Sequence, residues 1–249
     1  MLSTIEDIPL DLPPLDVLCV APHPDDAEIS VGGSLLKWHR LGQRVGVLDL
    51  TSGEPTPFGS RELRQAEAAT ATKLLELDFR FNLGLPNRSL EPTLDNRRAI
   101  AEVFRLTKPR VILAPWPEDA HPDHVAATQL IEGARFWSKL TKTTMAGEPY
   151  HPPRIFYYWS IHLKIQPTPA FVVDISETIE PKMESVAAYA SQFTIGRTPT
   201  FPTAIDDIRD RARYWGWAIG RAYGEPIGSR EALYVDDLSA VTGLALGTK

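Results

Sequence analysis

One stretch, from Val17 to Gly33, constrains the fold more than any other part of this 249-residue sequence. It begins with a five-residue apolar run that is too short for a helix and runs directly into a proline-containing turn. Such a run predicts a buried strand that delivers the following residues to the rim of a sheet. In open α/β sheets, ligands bind at that rim. The residues delivered there are Pro22-His23-Pro24-Asp25-Asp26-Ala27-Glu28.

This turn places one imidazole and three carboxylates within six positions. Such a group is costly unless something positive binds it, and imidazole nitrogen and carboxylate oxygen are ligands of zinc and related divalent metals. The structural alternative is a simple turn in which Asp26 or Ser30 caps the next helix. A second group, His121-Pro122-Asp123-His124, also follows an apolar run, at 111–114. Because two strand ends of one parallel sheet can meet at its carboxyl edge, the pair of groups favours a metal site.

Apolar runs and helical patterns alternate through the first two-thirds of the chain, which predicts right-handed βαβ units and a parallel sheet covered on both faces. We therefore expect an α/β fold, a Rossmann-like three-layer sandwich with a mainly parallel sheet and an additional C-terminal strand and helix region. The length allows a single domain over residues 1–249, with 1–15 as an N-terminal extension. The strands are predicted at 17–21, 44–50, 78–83, 111–114, 155–159 and 171–173, and the helices at 34–41, 60–77, 94–107, 175–193 and 205–223.

Composition excludes several classes of protein. A net charge of −6 argues against a nucleic-acid surface, which needs a basic stripe. Cys19 is the only cysteine, so neither an intramolecular disulfide nor a thiolate metal cage can form.

The first turn lacks the G-x-G-x-x-G pattern of dinucleotide-binding sites. The first fifteen residues do not resemble a secretory signal, and no run approaches the roughly 20 apolar residues that span a bilayer. We expect a cytoplasmic protein without nucleic-acid or membrane partners.

The two His/Asp groups together resemble the PIG-L or LmbE-like family of metal-dependent N-acetylglucosamine deacetylases. The likeness runs from Val17 to about Leu238 and is closest to the bacillithiol-pathway branch, whose members deacetylate N-acetylglucosaminyl-malate. It implies a hydrolase acting on that small-molecule conjugate. Two alternatives stay open: a deacetylase of chitobiose-type or other N-acetylglucosamine conjugates, and a non-catalytic sugar- or metal-binding module. The further segments that resemble the family are Asp49-Leu50-Thr51-Ser52-Gly53-Glu54, Glu62-Leu63-Arg64, Asn82-Leu83-Gly84-Leu85-Pro86-Asn87-Arg88, Val173-Asp174-Ile175-Ser176 and Tyr189-Ala190-Ser191-Gln192-Phe193.

The resemblance also implies roles for individual residues. Its metal ligands are His23, Asp26 and His124, and the spacing alone lets the first two point at one ion. Three protein ligands leave a position for water, which a divalent ion acidifies while it polarises the substrate amide. Asp25 is then the general base, and His121 stabilises the oxyanion. Zinc is the expected metal, with ferrous iron as the alternative. Asp123 is expected to orient one of the histidines.

Substrate recognition is predicted from a smaller set of residues. A sugar–malate conjugate carries two carboxylates, which arginine binds bidentately. Arg64 and Arg154 resemble family positions that face the substrate, and the alternative for each is a solvated surface arginine. The other predicted substrate-binding residues are Ser52, Glu54 and Gln192.

The segment 205–223 near the C-terminus interleaves aromatic and apolar residues with arginines: Trp215, Trp217, Ile219 and Tyr223 with Arg209, Arg211, Arg213 and Arg221. Aromatic residues interleaved with arginines occur in single-strand nucleic-acid sites, but Asp206, Asp207 and Asp210 interrupt any phosphate track. Core packing or a subunit interface explains the pattern better. The family resemblance implies a homo-oligomer, a trimer or a hexamer.

Overall fold

The computed structural model describes residues 4–235. Its central sheet has five parallel strands in the order β3-β2-β1-β4-β5. Because β1 lies between the second and fourth strands of the chain, the connections reverse direction beside it, and a crevice opens at the carboxyl ends of β1 and β4. The predicted α/β class is confirmed. The strands are β1 (Val17–Ala21), β2 (Val45–Thr51), β3 (Phe79–Leu85), β4 (Val111–Pro115) and β5 (Arg154–Tyr158).

Helices cover both faces of the sheet. Successive side chains of β1 point to opposite faces, and all of them are buried. Leu18 and Val20 pack in one core with Ile100 and Leu130, whereas Cys19 packs in a second core on the other face. The C-terminal region adds a two-stranded antiparallel sheet, β6 (Phe171–Asp174) with β7 (Gly224–Ile227). The helices are α1 (Asp26–Arg40), α2 (Arg61–Leu74), α3 (Leu94–Thr107), α4 (Pro122–Trp137), α5 (Ile179–Ala187), α6 (Ala190–Phe193) and α7 (Ala204–Ala218), and a short 3-10 helix spans Ile5–Asp7.

The predicted start of the first helix at residue 34 is wrong, because α1 begins at Asp26. Gly32 and Gly33 are therefore interior helix residues and not the boundary that their sequence suggests. A Cβ added at Gly33 would lie 2.9 Å from the side chain of Ile175, so glycine allows the close approach of α1 to the segment before α5. This close packing holds the first turn of α1, with its acidic residues, at the crevice.

Two other boundaries differ from prediction in the C-terminal third. The single helix expected at 175–193 is divided into α5 and α6, and the helix expected at 205–223 ends at Ala218 and is followed by β7. Ile8 and Leu15, from the expected N-terminal extension, pack into the main core. Residues 1–3 and 236–249 of the expected domain lie outside the described residues. Across residues 4–235, every helix is too short or too polar to traverse a bilayer.

Candidate metal centre

The site is built at the N-termini of two helices that follow neighbouring strands. Asp25 is the N-cap residue of α1 and Asp26 is its first residue. His121 is the N-cap residue of α4, and His124 lies in the first turn of that helix. The two groups predicted to meet over the sheet edge are thus brought together.

Three side chains, His23, Asp26 and His124, form what we call the metal cluster. Their ligand atoms all lie within 4.8 Å of one another. Oδ2 of Asp26 is 3.1 Å from Nδ1 of His23 and 3.2 Å from Nε2 of His124. That Nε2 atom is buried and, within the part of the chain that the structure describes, has no partner in hydrogen-bonding geometry. A buried unpaired nitrogen is costly, and a cation beside it would remove the cost. The residues present therefore fit a divalent metal.

The electrostatics of the metal cluster favour a cation. Burial opposes the charging of both histidines, yet the carboxylates of Asp123 and Asp26 raise the pKa of His23 to about 9. Likewise, Asp26 and Asp119 overcome burial and raise the pKa of His124 to about 10. The cause in each case is a negative potential from buried carboxylates, which attracts a proton or a metal ion alike.

Asp25 lies beside the metal cluster in an unusual backbone conformation. Its φ angle is 120°, a value that side-chain-bearing residues rarely adopt and that is found at functional sites. Oδ2 of Asp25 accepts a hydrogen bond of 2.9 Å from Nη1 of Arg64. Burial raises the pKa of Asp25, and the Arg64 guanidinium opposes that rise. Arg64 also lies 3.3 Å from Glu54, so the arginine links the base candidate to a buried carboxylate.

His121 and Asp123 support the opposite side of the site. Nδ1 of His121 accepts the backbone N–H of Asp123 at 3.2 Å, which leaves the ring proton on Nε2. Burial, with the nearby charges of His23 and His124, lowers the pKa of His121. Oδ2 of Asp123 lies 3.1 Å from Nε2 of His23 and accepts the backbone N–H of Arg88 at 2.7 Å. Asp123 thus contacts a histidine of the metal cluster, the kind of contact expected of it.

Sequence reasoning missed two residues of this site. Oδ2 of Asp119 is 3.0 Å from Nδ1 of His124 and also accepts the hydroxyl of Ser160. Although burial opposes it, hydrogen bonding from His124 lowers the pKa of Asp119 to about 2. His162 follows β5 and places its ring centroid 5.3 Å from that of His121. The signal for Asp119 was its position two residues before the second His/Asp group, whereas His162 has no local motif.

A cavity of about 340 Å³ opens onto the metal cluster. Asp25, Arg64, His121 and Gln192 all line it. Ser52 instead lines a neighbouring cavity of about 620 Å³ between α2 and strands β2 and β3. Arg64 lines both cavities, so two predicted substrate residues, Arg64 and Gln192, lie at the cavity that opens onto the metal cluster.

Glu54 and Arg154 do not have the surroundings expected of substrate-binding residues. The carboxylate of Glu54 is occupied by Thr56 and Arg64. Arg154 begins β5 and pairs in register with Val111, the first residue of β4, whereas the metal cluster lies at the carboxyl ends of the strands. Its guanidinium contacts Glu231 at 3.2 Å. Arg154 thus lies at the amino ends of the strands, opposite the metal cluster, and the structure gives no support to a substrate contact.

A parallel α/β sheet with two imidazoles and a carboxylate converging beside a cavity defines an α/β protein with a candidate catalytic metal centre. The family described as PIG-L, GlcNAc-PI de-N-acetylase, matches residues 18–134, which include every residue of the metal cluster. The chain belongs to this family.

Individual relatives extend the likeness beyond that segment. The chain is 31% identical over 231 residues to the diacetylchitobiose deacetylase of Thermococcus kodakarensis, covering 85% of this chain and 81% of the relative. It is 28% identical over 193 residues to the probable N-acetyl-alpha-D-glucosaminyl L-malate deacetylase 2 of Bacillus anthracis, covering 71% and 81%. The crystal structure of the conserved protein TT1542 from Thermus thermophilus is similar with a TM-score of 0.81 and 40% identity, covering 89% of this chain and 97% of that one.

Proposed function

We propose that this chain is a metal-dependent hydrolase that removes the acetyl group from an N-acetylglucosamine conjugate. The observation that carries the proposal is the convergence of the metal cluster and Asp25 on one cavity, in a chain that belongs to the PIG-L family. Relatives named as deacetylases cover most of this chain, which supports the same chemistry here.

His23, Asp26 and His124 would hold the metal, for which the nitrogen and oxygen donors fit zinc, with ferrous iron as the alternative. When bound, the ion supplies a Lewis acid that acidifies water and polarises an amide carbonyl. The unpartnered Nε2 of His124 supports this assignment from the protein side.

Asp25 acts as the general base in the proposed reaction. Water adds its oxygen to the acetyl carbon, and Asp25 takes the proton that the water gives up. Arg64 donates to one carboxylate oxygen of Asp25, so the base is held at the cavity wall in a fixed orientation. The carbon–nitrogen bond then breaks, and Asp25 returns the proton to the leaving amine, giving acetate and the free amino sugar.

His121 stabilises the oxygen that gains negative charge during the attack. Because Nδ1 of His121 accepts the backbone N–H of Asp123, the ring proton lies on Nε2. The neutral imidazole can therefore donate a hydrogen bond from Nε2 to that oxygen. The hydrogen bond from the backbone N–H of Asp123 to Nδ1 supports a neutral imidazole in this role over a protonated one.

For the substrate, we propose N-acetylglucosaminyl-malate, the conjugate used in bacillithiol biosynthesis. The Bacillus anthracis relative named for that activity supports this choice. Diacetylchitobiose is the second candidate, favoured by the relative from Thermococcus kodakarensis with 31% identity. The two candidates share the acetamido sugar and differ in what is attached to it.

The test is acetate release by purified, metal-analysed protein from both substrates. We expect a higher kcat/KM on the malate conjugate, loss of activity on metal removal by a chelator, and recovery on adding zinc or ferrous iron. A strong preference for diacetylchitobiose would select the second candidate. Bound metal without acetate release from either substrate would instead indicate a sugar- or metal-binding module.

A further inference from the structure

The carboxylates in the cavity beside the metal cluster all have partners inside the protein. Asp25 accepts a hydrogen bond from Arg64, and Asp26 lies within hydrogen-bonding distance of His23. Arg64 is itself engaged by Asp25 and Glu54. This arginine, which the sequence suggested for substrate carboxylates, is therefore committed to the protein's own acids.

Two other arginines line the same cavity and remain available. Arg88 lies in the turn after β3, and Arg197 lies between α6 and α7. Both side chains are exposed, and among residues 4–235 neither guanidinium has a hydrogen-bond or ion-pair partner. Arginine recognises carboxylate and phosphate groups through paired N–H donors, so two unneutralised guanidinium groups at a cavity rim attract an anion.

The backbone of Arg88 gives a second, independent indication. Its φ angle is 64°, in the left-handed region that glycine adopts without steric cost and other residues adopt rarely. Its N–H donates to Asp123, which also contacts His23, so the start of this side chain is fixed close to the metal cluster. Residues in rare backbone conformations cluster at ligand-binding sites, so the conformation of Arg88 indicates a role for its side chain in binding.

We propose that Arg88 and Arg197 form an anion subsite that selects N-acetylglucosamine conjugates with a negatively charged aglycone. The inference rests on the proposed deacetylase function and adds the residues that recognise the charge of the aglycone. The charged group is a carboxylate or a phosphate, since both match the guanidinium fork. A neutral disaccharide makes no comparable contact with these two residues.

The experiment compares three substrates in the metal-loaded enzyme: N-acetylglucosaminyl-malate, N-acetylglucosamine 1-phosphate and the neutral methyl N-acetylglucosaminide. The measured quantity is the ratio of kcat/KM for each anionic substrate to that for the neutral one. Arg88→Gly and Arg197→Ala should each lower this ratio by about tenfold to a hundredfold, mainly through KM, because each removes charge-assisted hydrogen bonds. The anionic substrate with the larger loss identifies the preferred group.

Arg154→Ala is the matched control, because it removes an arginine at the amino ends of the strands, opposite the metal cluster. It should leave the ratio within about twofold of the unmodified enzyme. Arg88→Gly should also melt no lower than the unmodified protein, since glycine accepts the positive φ without strain. A lower ratio without a lower melting temperature separates lost recognition from damage to the fold.

Failure of the subsite and failure of the proposed function give different results. If the enzyme releases acetate but the Arg88 and Arg197 variants keep the unmodified ratio, the subsite is wrong and the deacetylase function stands. If neither these three substrates nor diacetylchitobiose yields acetate, the deacetylase function is wrong. Calorimetric binding of N-acetylglucosaminyl-malate to the unmodified protein and to Arg88→Gly then decides the subsite, since equal affinities overturn it and a weaker variant supports it.

Discussion

Two buried polar groups each include an acidic residue from the first turn of α1, and they differ in how their charge is balanced. One is the metal cluster. The other, which we call the arginine network, consists of Glu28, Asp49, Arg80 and Tyr189. Arg80 contacts Glu28 at 2.6 Å and Asp49 at 2.8 Å, and its Nη2 lies 3.0 Å from the Tyr189 hydroxyl.

The arginine network carries a guanidinium, which keeps its proton, whereas the metal cluster has only imidazoles, whose protons a metal ion can replace. The guanidinium of Arg80 balances two carboxylates, although one oxygen of Glu28 stays without a hydrogen bond among the described residues. Glu28 lies in the first turn of α1, and its ion-pair partner is Arg80. In the metal cluster, Nε2 of His124 makes no hydrogen bond among residues 4–235, and His23 and Asp26 line the cavity. Buried carboxylates therefore indicate a ligand site where no arginine or lysine pairs with them and a cavity gives access.

The largest expected effect on this comparison comes from Asp25→Asn. The amide keeps the size of the side chain and an acceptor for Arg64, but it cannot take a proton from water. We expect turnover to fall by about 10²–10⁴-fold, the usual contribution of a general base. Bound metal should remain, since Asp25 is not a member of the metal cluster. Steady-state acetate release and metal analysis of the same sample check both statements.

Loss of metal from the Asp25→Asn protein would contradict this division of roles and make Asp25 a ligand. Unchanged turnover would remove Asp25 from the mechanism altogether. The folded state is checked by circular dichroism, so that a misfolded variant is not mistaken for a chemical effect.

Next in size is the effect of Arg80→Met, which tests the other side of the comparison. Removing one partner of a buried ion pair leaves uncompensated charge on Glu28 and Asp49, so we expect the free energy of unfolding to fall by about 3–5 kcal/mol. Urea denaturation measures this loss. Arg110→Met is the control, because Arg110 is 75% exposed and pairs with Asp16 at the surface, where an ion pair contributes little.

Metal stoichiometry of folded Arg80→Met sharpens the contrast. We expect it to equal that of the unmodified protein, because the arginine network holds the fold and not the ion. If the variant kept its stability and lost its metal, the two groups would form a single functional unit and the distinction between them would be wrong.

The sequence was most informative where neighbours along the chain decide the outcome. The bounds of β1 and α3 match prediction to the residue, because a short apolar run and a regular helical period are local signals. The start of α1 was missed because paired glycines read as a helix breaker. Their actual role depends on Ile175, which is distant in sequence and which no local pattern connects to Gly33.

The candidate site shows the same division between local and distant information. The motif and the family resemblance selected His23, Asp26 and His124, and the structure brings these three together. The resemblance treated Arg64 and Arg154 alike, yet one lies at the site and the other at the far end of a strand. Which end of a parallel strand a residue occupies follows from whether it precedes or follows that strand, and Arg154 directly precedes the strand predicted at 155–159, opposite the site. The partners of each arginine, in contrast, follow from packing of segments far apart in sequence.

The smallest expected effect comes from Asp119→Asn, which tests how far the metal cluster extends beyond its three members. Asp119 is hydrogen-bonded to Nδ1 of His124 and thereby orients the imidazole ring. The other ring nitrogen, Nε2, makes no hydrogen bond among the described residues. A carboxylate in this position also makes the imidazole a better donor, and loss of such a contact typically weakens metal binding by about 10–100-fold. We expect a loss in that range, measured as zinc affinity in competition with a chromogenic chelator.

Asp95→Asn provides the matched control, because Asp95 is exposed in the first turn of α3 and makes the same change of charge far from the cavity. Its zinc affinity should equal that of the unmodified protein. Equal affinity for Asp119→Asn as well would show that the backbone of α4 alone orients His124. A complete loss of binding would instead place Asp119 among the ligands, and the metal cluster would then have four members and a closed shell, as structural zinc sites do.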